Sequence, residues 1–113
     1  MTTKVSPEPV VEAFGEMPHV EIVGHSGYRP ERVEGDEWYV NIDFSRDLEG
    51  WIALDQILQA IDTPPPGGRD IRECCELSLW SDAGIRITLN GTCDPAHFAD
   101  NLRLVILCWE DGW

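Results

Sequence analysis

The sequence predicts an α+β two-layer sandwich: a mainly antiparallel four-stranded sheet with helices on one face, in the order α-ββα-ββα. Three observations lead there. Residues 38–44 alternate apolar and polar along their length, as a half-buried strand does. Two more alternating runs, 75–80 and 85–89, are joined by Ser81-Asp82-Ala83-Gly84 as a hairpin. Apolar residues at helical spacing follow Asp47 and again follow Asp94-Pro95, each time behind a residue suited to a helix cap.

The first element is a short helix over 6–15. Ser6 can cap it, Pro7 suits its first turn, and Gly15 ends it. Val10, Val11 and Phe14 share one face; Glu8, Glu12 and Glu16 recur every four residues on the other. Residues 19–23 read as a strand, followed by a Gly, Ser and Pro-rich loop and the turn signal Glu34-Gly35-Asp36. Trp38, Val40, Ile42 and Phe44 then form the apolar side of the clearest strand. After Asp47 comes a helix whose broad apolar stripe is Leu48, Trp51, Ile52, Ile57, Leu58 and Ile61. Thr63-Pro64-Pro65-Pro66-Gly67-Gly68 stops it. In the hairpin, Leu77, Leu79, Ile85, Ile87 and Leu89 face the core. Phe98, Leu102, Val105, Ile106 and Trp109 keep helical spacing to the end, although the apolar run 104–109 also suits a buried strand.

A shift of 47 residues lays Val40, Ile42, Asp47, Trp51, Ile57 and Leu58 over Ile87, Leu89, Asp94, Phe98, Leu104 and Val105. The chain therefore reads as one domain, 1–113, with a ββα pseudo-repeat over 19–62 and 71–110, or as two instances of a common strand-to-helix transition. The outer face of the sheet carries Tyr39, Asn41, Asp43, Glu76, Ser78, Trp80, Arg86, Thr88 and Asn90. It is polar, as the solvated side of a sheet is, and it holds two large aromatics of the kind that anchor protein interfaces.

Catalytic and metal chemistry find little support. His19, His25 and His97 show no paired ligand spacing with Cys74, Cys75, Cys93 and Cys108, and there is no C-x-x-C. Adjacent Cys74 and Cys75 point to opposite faces in a strand and cannot share an ion. Cys93 and His97, four apart near a helix start, are the one candidate nucleophile and base. Close carboxylates such as Asp43 with Asp47, Glu73 with Glu76, and Asp36 with Glu37 are expected among so many acids. No phosphate-binding loop or calcium loop is present. The reading is a non-catalytic protein without cofactor or metal, with a small enzyme or ligand-binding module around Cys93 and His97 as the alternative.

Charge is the most specific signal. There are 21 Asp or Glu against 8 Lys or Arg, a formal net charge of −13, and Lys4 is the lone lysine. Hydrophobic residues make up 42% and there are five tryptophans, enough to place this charge on a folded body rather than a disordered tail. Such a body repels nucleic acid and anionic membranes and attracts basic protein surfaces. The seven arginines are scattered among acids, so no cationic patch for nucleic acid forms. No apolar run approaches a signal core or a membrane span, and the expectation is a soluble, cytoplasmic protein. Low lysine with frequent Arg, Gly, Pro and Asp suits a GC-rich bacterial or phage genome.

In size and acidity the chain resembles two groups of small inhibitors: bacterial immunity proteins that neutralise toxins, and phage anti-CRISPR and other anti-defence proteins, some of which mimic the charge of DNA. The resemblance is one of type and rests on no shared motif. It implies a basic protein partner, a CRISPR effector subunit, a nuclease or a toxin, whose working surface the chain would block. Candidate partner-binding residues are Glu8, Glu12 and Glu16 on the first helix, and Glu31, Glu34, Asp36 and Glu37 in the loop. Tyr39, Asp43 and Trp80 on the sheet and Glu110, Asp111 and Trp113 at the C-terminal end complete the set.

Overall fold

The structure, a computed structural model, describes residues 5–27, 37–81 and 85–110; of residues 79–81, 85 and 86 it describes the backbone alone. The elements run α1 (Glu8–Gly15), β1 (Val20–His25), β2 (Trp38–Phe44), α2 (Leu48–Asp62), β3 (Cys75–Ser81), β4 (Ile85–Gly91) and α3 (Pro95–Glu110). The strands form a single antiparallel sheet in the order β1-β2-β4-β3. All three helices meet the same sheet face, because one cluster joins Val10 and Phe14 of α1, Ile57 and Ile61 of α2, and Phe98, Leu102 and Val105 of α3 to Trp38, Val40, Ile42, Ile87 and Leu89 of the sheet.

β2 has the range that its alternation predicts, and its burial alternates without a break. β1 starts one residue later than expected and continues to His25, with a bulge between Ile22 and Gly24. α1 starts at Glu8, with Pro7 at the cap position; the Ser6 hydroxyl accepts from the Glu8 amide at 3.2 Å. The apolar run 104–109 is helical, since Phe98, Leu102 and Val105 extend one buried stripe along α3. Of the expected hairpin core, Ile87 and Leu89 are buried and Leu77 is partly so. The side chains of Leu79 and Ile85, the hairpin turn 82–84 and the turn at Glu34-Gly35-Asp36 lie outside the described residues.

The 47-residue offset reappears in the sheet. Exchanging β1 with β3 and β2 with β4 leaves the strand order unchanged. Asn41 pairs with Thr88, 47 residues away, in the β2–β4 ladder, and the Thr88 hydroxyl donates to Asn41 Oδ1 at 2.7 Å. The helices do not keep that phase. Trp51 is 68% exposed, whereas Phe98, its counterpart, is fully buried.

Two close approaches shape the packing. Trp38 faces Gly91 across the β2–β4 ladder, and a Cβ on Gly91 would run into the indole. The indole N–H donates to the Cys93 carbonyl at 2.7 Å, which satisfies the polar end of a buried tryptophan. The second approach is at Asn101. This fully buried residue of α3 donates to the carbonyls of Ala60 (2.9 Å) and Arg69 (2.8 Å) and accepts from the Arg69 amide (2.8 Å). It ties α3 to the end of α2 and to the loop that leads into β3. Replacing Asn101 by Leu leaves those three backbone groups without their partner, at roughly 1–3 kcal/mol for each group that stays buried. Thermal unfolding of Asn101→Leu should show a drop in Tm of several degrees or outright loss of the folded state. An unchanged Tm would contradict the role given to this side chain.

Candidate functional site

The described acids lie at the surface of the protein. Every described Asp and Glu is exposed except Asp43, which is half-buried. Glu8 and Glu12 project from α1 and Glu37 precedes β2, all exposed. Glu16 lies just past α1 and its carboxylate meets the Arg103 guanidinium of α3 at 3.2 and 3.3 Å. Asp43 is engaged by Arg46 at 3.1 Å and accepts from the Phe44 amide at 2.9 Å. Glu110 is exposed at the end of α3. Of the described arginines, Arg46, Arg72 and Arg103 are each held by an acid of the chain. The chain's own cations are therefore partly consumed internally, and most carboxylates face water. Glu31, Glu34, Asp36, Asp111 and Trp113, and the side chain of Trp80, lie outside the described residues.

The outer sheet face is assembled as the alternation implies. Tyr39 and Glu76 flank Asn90, Asn41 and Ser78 flank Thr88, and Trp80 is opposite Arg86 in register. Glu21, opposite Asp43, adds another acid at the β1 edge. This face is quieter than its composition suggests: Thr88 is buried at the centre and bonded to Asn41, and Tyr39 is half-buried.

Helix α2 keeps part of its expected stripe, with Ile57 and Ile61 buried and Ile52 half-buried, but Leu48, Trp51 and Leu58 turn out to solvent. Its buried residues are Gly50, Ala53, Ile57, Ala60 and Ile61, while Leu48 is 70%, Trp51 68% and Leu58 40% exposed. The physical reason is closeness. A Cβ on Gly50 would strike the Ser45 carbonyl, so the first turns of α2 face inward with Gly50 and Ala53, ahead of Ile57 and Ile61, and Leu48, Trp51 and Leu58 turn out. The N-terminus of α2 is well fixed. Asp47 accepts from the Gly50 amide at 3.0 Å and from the Ser45 hydroxyl at 2.7 Å. The Ser45 hydroxyl bond, then the Gly50 amide, holds the Asp47 carboxyl below the usual carboxylate range. At the other end, the Trp109 indole N–H donates to Gln59 Oε1 at 2.7 Å and links α3 to α2.

No hydrogen bond joins Cys93 to His97 among the described residues. Burial first, then a hydrogen bond with Cys74, pushes the Cys93 thiol up to about 12. Burial also raises the Cys75 thiol, with Cys93 as its next neighbour. His97 instead lies 4.0 Å from the carboxylate of Asp94, which caps α3 by accepting from the Ala96 amide at 3.0 Å. A protonated thiol is a weak nucleophile. Cys74 sits in the turn before β3 and Cys75 in the strand, close enough to Cys93 to influence it. All four cysteines are free, and no group of three or more metal-ligating side chains is gathered among the described residues.

A cleft of about 290 Å³ opens at this end of the sheet, lined by Glu37, Arg72, Glu73, Cys74, Glu76 and Asn90 among others. The Asn90 Oδ1 atom is buried without a hydrogen-bond partner among the described residues. Arg72 is turned to Asp70, at 3.2 and 3.3 Å.

No family model, curated protein or solved structure matches the chain, so the functional reading rests on this geometry. No helix among the described residues is long and apolar enough to cross a membrane.

The raised thiols lead to a chemical expectation. Alkylation by iodoacetamide at pH 8, followed by mass spectrometry, should modify Cys75 and Cys93 at least tenfold more slowly in the folded protein than in urea. Equal rates in the two conditions would contradict the burial described.

Proposed function

We propose that this protein is a small, acidic, non-catalytic inhibitor. It binds a basic, nucleic-acid-handling protein and blocks its working surface, in the manner of anti-defence proteins that mimic nucleic-acid charge. The partner is a CRISPR effector subunit, a nuclease or a toxin, the last being the immunity-protein form of the same reading. The observation that carries the proposal is the display of charge: a net charge of −13 on a folded body whose described carboxylates are nearly all at the surface.

The physics follows from that display. A cationic groove built for phosphates offers lysines and arginines at intervals, and a rigid carboxylate surface can answer them. Long-range attraction steers the encounter and raises the association rate. Glu8 and Glu12 are carried on the backbone of α1 and Glu37 directly precedes β2, so little backbone ordering is needed on binding. Glu16, Asp43 and Glu110 extend the acidic surface, and Glu31, Glu34, Asp36 and Asp111 belong to the same proposal by sequence. Tyr39, Trp80 and Trp113 are its proposed aromatic contacts. The chain itself binds no nucleic acid and no membrane, and its proposed compartment is the cytoplasm.

The test is capture of the partner from nuclease-treated bacterial lysate, elution by salt, and affinity measurement on the pair. The expected result is one stoichiometric basic partner. Its affinity should fall at least tenfold as ionic strength rises from about 0.15 M to about 1 M, where the Debye length shrinks from about 8 to about 3 Å. Reversal of Glu31, Glu34, Asp36 and Glu37 to lysine should weaken binding by a similar factor with the fold intact. Affinity indifferent to both changes would overturn the charge-driven reading.

A further inference from the structure

The outward face of α2 carries a pattern that the acidic surface alone does not explain. Leu48, Trp51, Asp55, Leu58 and Asp62 are all exposed, and they recur at alternating spacings of three and four residues. That is the spacing of a seam along which a second helix docks. Leu48, Trp51 and Leu58 supply apolar knobs, with Trp51 the largest. Trp is the residue most often found to dominate an interface. Exposing such a side chain on a rigid helix is costly in water, and core packing does not account for it, because α2 already buries Ile57 and Ile61 behind this face.

The two aspartates at seam positions define the occupant. Asp55 makes no ion pair among the described residues. Asp62 lies near enough to Arg72 to raise its pKa, although Asp70 is the main partner of that guanidinium. α2 contains no Lys or Arg. A purely apolar partner would bury Asp55 unpaired, which is strongly unfavourable. A second copy of this chain would set carboxylate against carboxylate, on top of the repulsion between two bodies of charge −13. A segment that alternates leucine-like and cationic side chains satisfies both halves of the pattern.

We propose that the α2 seam is a docking site for a basic amphipathic helix of the partner protein, with Trp51 as its apolar anchor and Asp55 as its cation acceptor. The inference rests on the basic-partner reading and adds to it the site and the chemistry of the contact. Charge brings the partner in, and the Trp51 contact slows its departure.

Two synthetic peptides of equal length and charge test it: a leucine–lysine amphipathic helix, and the same peptide with serine in place of every leucine. The full chain should bind the leucine–lysine peptide more tightly and show tryptophan fluorescence protected from acrylamide. Trp51→Ala should weaken that binding about tenfold or more and leave the weaker serine–lysine binding unchanged. Asp55→Lys, which leaves the apolar residues in place, should also weaken it. Unaltered binding of the leucine–lysine peptide by both variants would overturn the seam while leaving the charge-driven reading intact. Failure of the parent chain to bind either peptide would overturn both. Self-association of the free protein that Trp51→Ala abolishes would assign the seam to a second copy and overturn the proposal.

Discussion

The arrangement depends on how the fully buried side chain of Asn101 reaches across from α3. The loop after α2 contains three consecutive prolines, which have no amide hydrogen to donate, followed by two glycines. Such a loop has few ways to satisfy its own backbone. Gly68 closes a turn on the Pro65 carbonyl at 2.9 Å, Gly67 adopts a φ of +98°, and Asn101 bonds both the amide and the carbonyl of Arg69. Its remaining donor holds Ala60 near the end of α2. One amide side chain thereby ties α3 to the end of α2 and to the loop that leads into β3. A charged or apolar residue there could not supply both a donor and an acceptor.

The fixed α2 is what turns an excess of apolar residues into a surface feature. The sequence contains more large apolar side chains on this helix than one face can bury. A stripe chosen by hydropathy is right at Ile57 and Ile61 but places Leu48 and Trp51 inside where Gly50 and Ala53 belong. Close packing reverses that placement, because the backbone near Ser45 leaves no room for a Cβ at Gly50. Asn101 is a polar side chain between Phe98 and Val105 on a buried stripe, a place where the apolar periodicity gives it no role. A polar side chain at an apolar-phase position, after a loop of prolines, was the available signal.

Other parts were legible because one physical rule governed them without competition. The alternation of β2 survives in its burial residue by residue. Asp47 and Asp94 cap their helices as their side-chain chemistry allows. The pairing of Asn41 with Thr88 restates the 47-residue offset as a contact in space. The acidic surface was legible as composition, but the separation between acids held by arginines, such as Glu16 and Asp43, and acids facing water needed the fold. The α2 seam was invisible, since hydropathy sends its Leu48, Trp51 and Leu58 to the core and leaves Asp55 and Asp62 apart from them.

Charge and the apolar seam are complementary parts of one account. The net charge disfavours self-association of a helix face that would otherwise invite it, and the same charge favours a cationic partner. The central claim is that this partner is met on the surface it uses for nucleic acid. Competition tests it most directly: the captured partner, loaded with this chain, is titrated with duplex DNA while the bound fraction of the chain is followed by fluorescence anisotropy. The account predicts mutually exclusive binding, with DNA displacing the chain and the chain displacing DNA. A ternary complex in which both stay bound at full stoichiometry would contradict it.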